Sequence, residues 1–201
     1  MILRIVRGHV AADRLPALRD RFLHSYAPLA RRAKGLIRFH TAVRPVGDAY
    51  DLVVVTFWAS IGEALEAYDG ALDSVRVLDG LADEAELREV RYFEVDESQL
   101  RSSTNDAAYL RLTIGRVTRG ADVEIQQELR TRMVTLEATM TEAYVGRRIV
   151  GDDVEVAFVS AWVAGGSSGP LDAPIWPDIS ARYDAFEVAL YEPVVSGVAT
   201  G

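Results

Sequence analysis

Val46-Gly47-Asp48-Ala49-Tyr50-Asp51-Leu52-Val53-Val54-Val55-Thr56-Phe57-Trp58 lies in register with Val150-Gly151-Asp152-Asp153-Val154-Glu155-Val156-Ala157-Phe158-Val159-Ser160-Ala161-Trp162, at a constant offset of 104 residues. Val, Gly, Asp, Val and Trp are identical, and Asp51/Glu155 and Thr56/Ser160 are conservative. Two further matches flank this one in the same order. Leu3-Arg4-Ile5-Val6-Arg7-Gly8 resembles Leu110-Arg111-Leu112-Thr113-Ile114-Gly115, and Glu89-Val90-Arg91-Tyr92-Phe93-Glu94 resembles Glu187-Val188-Ala189-Leu190-Tyr191-Glu192. Three ordered matches point to an internal repeat. The polar run from Glu97 to Ala107 reads as a linker. The expected domains are residues 1–96 and 108–197, joined by 97–107.

Each copy reads β-α-β-β-α-β. The first strand is Ile2–Arg7. A helix follows Asp13 as N-cap, with Leu15, Leu18, Phe22, Tyr26, Leu29 and Ala33 on one face and Pro28 as a late kink. Leu36–Val43 and Tyr50–Trp58 form a hairpin about Gly47. Ser60-Ile61-Gly62-Glu63 is a capping-box start for the second helix, and Leu87–Val95 closes the unit. In the second copy Ile125, Leu129, Met133, Leu136 and Met140 form the first-helix stripe behind Asp122. Gly165–Pro170 is a loop there, and Pro174 and Pro177 cut the second helix to about Asp178–Tyr183. A βαββαβ unit covers one sheet face with helices and leaves the other in need of a partner. The fold class expected is therefore α+β: two tandem ferredoxin-like domains packed sheet to sheet within one chain.

Composition narrows function by exclusion. The chain has no cysteine, so disulfides and thiolate chemistry are absent. Its three histidines, His9, His24 and His40, make no short-spaced pair for a metal. The formal net charge is −8 and neither half is basic, which disfavours nucleic acid as a partner. No run approaches the roughly 18 apolar residues of a membrane helix, and the N-terminus reads as a strand rather than a secretory signal. A cytoplasmic location is expected. No phosphate loop, dinucleotide fingerprint or nucleophile motif appears.

Val53-Val54-Val55-Thr56-Phe57-Trp58-Ala59-Ser60 followed by Glu63-Ala64-Leu65-Glu66-Ala67-Tyr68 resembles the antibiotic biosynthesis monooxygenase family. Arg91-Tyr92-Phe93-Glu94-Val95 and Leu190-Tyr191-Glu192-Pro193 are similar to its last strand. The resemblance spans both copies and implies a dimeric α/β barrel with both halves on one polypeptide. It also implies either of two activities. One is oxidation of polycyclic phenols to quinones with O₂ and no cofactor; the other is binding and cleavage of haem. Both groups use an Asn and a Trp in a pocket between sheet and helices; the only asparagine here, Asn105, lies in the expected linker. The haem group uses a histidine on the second helix, which the first copy lacks, so a haem ligand here would be His9 or His40.

The candidate site follows from these residues. Trp58 and Trp162, at matching places, would stack on a flat ligand or, more plainly, fill the core. Arg38 and His40 alternate on one strand and share a face with Leu36 and Ala42. His40 would act as base and Arg38 would stabilise a phenolate, unless both simply face solvent. Tyr144 takes the place of His40 in the second copy. Tyr68 would donate a hydrogen bond to substrate, and Phe57 and Tyr144 would complete the lining. The leading expectation is a cofactor-independent, monooxygenase-like enzyme for a small aromatic or polyketide-like ligand. Its alternatives are a non-catalytic binding barrel and a haem protein. Fusion predicts a monomer, with higher association left open.

Overall fold

The computed structural model of the chain describes residues 1–67, 84–100, 107–135, 140–163 and 177–199. Among the described residues eight strands are present: β1 Ile2–Ala11, β2 Leu36–Val46, β3 Ala49–Trp58, β4 Glu86–Leu100, β5 Tyr109–Thr118, β6 Met140–Val150, β7 Asp153–Trp162 and β8 Ala185–Val198. The helices are α1 Leu15–Arg21, α2 Ala27–Arg32, α3 Ile61–Ala67, α4 Ala121–Thr135 and α5 Pro177–Ser180. The hydrogen-bonded strand order, β1-β3-β2-β8-β5-β7-β6-β4, is closed, so the fold class is the expected α+β barrel. Among the described residues no helix is long and apolar enough to cross a membrane.

The chain divides into two compact units, Met1–Tyr92 with Glu192–Gly201, and Phe93–Tyr191. These differ from the repeat boundaries because the last strand of each copy runs on. β4 continues through residues 97–100, which the sequence suggested were linker; residues 101–106 lie outside the described residues. The Glu192–Val198 end of β8 pairs with β2 in unit 1, and the Glu94–Leu100 end of β4 pairs with β6 in unit 2.

The repeat is kept to the residue. In unit 1, β1 pairs with β3 from Ile2↔Trp58 to Ala11↔Ala49; in unit 2, β5 pairs with β7 from Tyr109↔Trp162 to Thr118↔Asp153. Gly47 and Gly151 turn the two hairpins at φ +62° and +63°. Each second strand opens with a bulge, between Leu36 and Arg38 and between Met140 and Glu142. A bulge inserts one residue and changes which side the preceding side chain takes. Leu36 therefore sits opposite Trp58, whereas Arg38 sits opposite Phe57. The face expected to carry Leu36, Arg38, His40 and Ala42 carries only the last three.

The first helix departs from its expected register for a related reason. Asp13 does not cap it; Arg14 holds the N-cap position, with no side-chain cap. Between α1 and α2, Phe22–Tyr26 form a π-helical turn, closed by the Ala27 N–H to the Phe22 carbonyl. Pro28, just beyond, has no N–H for the ordinary ladder, and the wider turn lets the helix continue to Arg32. The extra residue shifts the helical phase. Leu15, Leu18 and Phe22 are buried as expected, but Ala27 and Ala30 then take the inner face and Leu29 is 70% exposed. Tyr26 touches both Phe22 and Phe39 edge-on, at 5.4 and 5.9 Å. In unit 2, Ile125, Leu129 and Met133 are buried as the stripe predicts. Leu136 lies outside the described residues, and Met140 belongs to β6 rather than to the helix. Asp122 lies inside α4 and accepts from the Gly120 N–H at 2.8 Å.

α3 starts at the expected capping box. The Glu63 N–H donates to Ser60 Oγ at 3.2 Å, and the Ser60 hydroxyl donates to Glu63 Oε2 at 3.0 Å. Gly35, which ends the first helical segment at φ +76°, leaves room for this carboxylate; a Cβ there would lie 2.4 Å from the Glu63 carboxyl carbon. Gly35→Ala is expected to cost about 2 kcal/mol in urea unfolding. Gly47→Ala, equally left-handed but open to space, should cost about half that. Equal losses would remove the role given to the Glu63 contact.

Candidate functional site

Trp58 ends β3 on the face covered by helices. It packs with Leu36 and Phe39 from β2, Ala27 and Ala30 from α2 and Ala64 from α3. Its indole N–H donates to Thr56 Oγ1 at 3.0 Å, two residues back on the same strand. Trp162 repeats this contact with Ser160 Oγ at 2.9 Å. Thr/Ser-x-Trp thus satisfies each buried indole within its own strand. The two tryptophans differ in what stands over them. In unit 1 the facing side chains are small alanines, and a cavity of about 430 Å³ opens between sheet and helices. Tyr26, Leu29, Ala30, Ala33, Leu36 and Trp58 form its mainly apolar wall, with Lys34, Glu63 and Glu66 as its charged residues. In unit 2 the cluster around Trp162 contains Leu129, Met133, Met140 and Ile179. A cavity of this size with an indole wall suits a small flat ligand.

The other sequence candidates lie elsewhere. Arg38, His40 and Phe57 share the opposite, helix-free face of the unit 1 sheet; their partners are Phe57, Val55 and Arg38. Arg38 and His40 are 3% and 1% exposed, so neither faces solvent. His40 Nδ1 lies 2.8 Å from Ser196 Oγ, and its ring meets Phe57 edge-on at 6.3 Å. The sheet thus separates Trp58 from His40 and Arg38, and one ligand in the cavity cannot touch both. Tyr144 occupies the matching place in unit 2, where its hydroxyl donates to Glu142 Oε2 at 2.9 Å. Tyr68 lies outside the described residues.

No family model matches the chain, and no curated protein matches it in sequence. Solved structures do match in fold. A "putative monooxygenase" of Fusobacterium nucleatum has a TM-score of 0.73 at 11% identity, covering 98% of this chain and 94% of that one. A "putative monooxygenase" of Lactobacillus acidophilus gives 0.63 at 11%, covering 98% and 96%. An anthrone oxidase-like protein gives 0.59 at 14%, covering 100% and 94%. The chain has the dimeric α/β-barrel fold. The resemblance read from its sequence to the antibiotic biosynthesis monooxygenases, a family with that fold, agrees at the level of fold.

Among the described residues, none of the three histidines offers a haem ligand in the Trp58 cavity. His24 is exposed beside Asp20, His9 lies 3.6 Å from Asp51, and His40 is buried on the other face. Among the described residues no group of three His, Cys, Asp or Glu is placed to hold a metal.

Sequence reasoning passed over residues that the barrel makes prominent. Arg4 and Arg111 sit on the helix-covered faces, opposite Thr56 and Ser160, and are 1% and 4% exposed. Arg4 Nε donates to Tyr92 Oη at 2.9 Å. Burial pushes the Arg111 guanidinium down to about 10. Their matching places in the repeat were the available signal. Tyr26 on its helix stripe, Glu63 in its capping box and Lys34 as the sole lysine were each visible in the sequence, but not that they line one cavity, because the π-turn and the Gly35 contact that bring them together are tertiary features.

Proposed function

We propose that the protein is a cofactor-independent, monooxygenase-like enzyme acting on a small aromatic or polyketide-like molecule held over Trp58 in unit 1. The observation that carries this reading is the apolar cavity with its indole wall. The names of the fold neighbours, two "putative monooxygenases" and an anthrone oxidase-like protein, support the same chemistry. For an anthrone-type substrate the methylene carbon becomes a carbonyl, one oxygen atom of O₂ enters the product, and the other leaves as water. The substrate supplies the electrons. The protein's part is to bury the ring system against Trp58, exclude water and hold the oxygen-bearing edge at the charged rim. Because β8 supplies the outer neighbour of β2 and β4 that of β6, the proposed working form is a monomer.

Oxygen uptake by purified protein with anthrone tests the proposal. One O₂ consumed per ketone formed, above the rate without protein, is expected. His40→Ala should retain that rate while losing about 1–3 kcal/mol of stability with its Ser196 contact. A second reading places the chemistry on the helix-free face, with His40 as base and Arg38 beside it; their burial on one face favours it. A folded His40→Ala variant without oxygen uptake would establish that reading instead. Absence of uptake in the native protein would leave a ligand-binding barrel without catalysis.

A further inference from the structure

Lys34 is the sole lysine among the chain's 22 lysine and arginine side chains, and it lines the Trp58 cavity. Glu63 faces the same cavity. Its carboxylate is positioned rather than free: Ser60 donates to Oε2, and the absent side chain of Gly35, next to Lys34, makes room for it. The cavity's polar lining therefore offers an acceptor oriented by Ser60 and a cation beside an apolar slot. A carboxylate ligand would meet Glu63 and Glu66 as like charges. A neutral ligand with both a hydroxyl and a second oxygen on one edge would satisfy Glu63 as donor and Lys34 as acceptor.

We propose that Lys34 and Glu63 are the specificity-determining residues of this cavity. They select a neutral fused aromatic that presents a hydroxyl donor to Glu63 and an acceptor oxygen to Lys34. The inference rests on the cavity being the ligand site, and the test separates the two. Calorimetric titration would compare 2,3-dihydroxynaphthalene, naphthalene and 2-naphthoate on the full chain. The diol should bind about tenfold more tightly than naphthalene, and 2-naphthoate more weakly than either. Glu63→Gln, which keeps a capping-box residue, and Lys34→Met should each bring the diol to within about threefold of naphthalene. Naphthalene affinity and thermal melting should stay unchanged. Lys34, the only side-chain amine, should also be protected from acetylation by the diol, as read by peptide mass spectrometry. Equal binding of diol and naphthalene, or a preference that survives both substitutions, overturns the inference and leaves the cavity as the site. Failure of all three compounds to bind overturns both.

Discussion

A chain ending at Tyr191 is expected to lose the fold of unit 1 while unit 2 stays largely ordered. Residues 192–198 lie at the far end of the sequence from β2, yet they form its outer ladder from Arg38↔Val198 to Val43↔Glu192. Removing them takes away the Ser196 partner of His40 and the Gly197 backbone against which Phe39 lies. A Cβ on Gly197 would stand 2.5 Å from the Phe39 ring, so only this strand's bare backbone fits there. Val194 and Val195, packed against the unit 1 core, go as well. Lost apolar burial and ladder bonds together come to about 5 kcal/mol, comparable with the whole margin of a small domain. Hydrogen exchange should show β2 and β3 unprotected in the shortened chain and β5 to β7 still protected. Full protection of β2 would mean that unit 1 does not depend on the distant strand.

Trp58→Ala and Trp162→Ala are expected to destabilise alike and to part company over ligand. Each removes a buried indole, 2% and 6% exposed, and strands a hydroxyl acceptor on its own strand. Each should cost about 3–5 kcal/mol. Only Trp58 borders the cavity, so only its loss should abolish binding of a flat ligand. Trp58→Phe, which keeps an aromatic face, should recover part of the binding. Chemical unfolding and titration on the same variants check both halves. Loss of binding with Trp162→Ala alone would move the site to unit 2.

The repeat made the fold readable. The hairpin glycines, the β-α-β-β-α-β succession of elements and the paired tryptophans were legible from matching Val46–Trp58 to Val150–Trp162 and its flanking repeats, because period-two strands and tight turns leave a local mark. The site was far less readable. Alternation put Leu36, Arg38 and His40 on one face, but a bulge after Leu36 turned it toward the helices. Helical spacing put Leu29 inside, but the π-turn before Pro28 handed that face to Ala27 and Ala30. Bulges and π-turns are set by what packs against them, and a single added residue reverses every inference drawn by counting. The same small alanines, unremarkable in sequence, are what leave space over Trp58.

The most direct test of the account uses Trp58 as its own reporter. With Trp162 and Trp176 replaced by Phe, the protein would be titrated with anthrone under argon while indole emission is followed. Saturable one-to-one quenching is predicted, abolished by Ala33→Phe, which fills the cavity. Unquenched emission, or quenching that Ala33→Phe leaves intact, would contradict the placement of the ligand over Trp58.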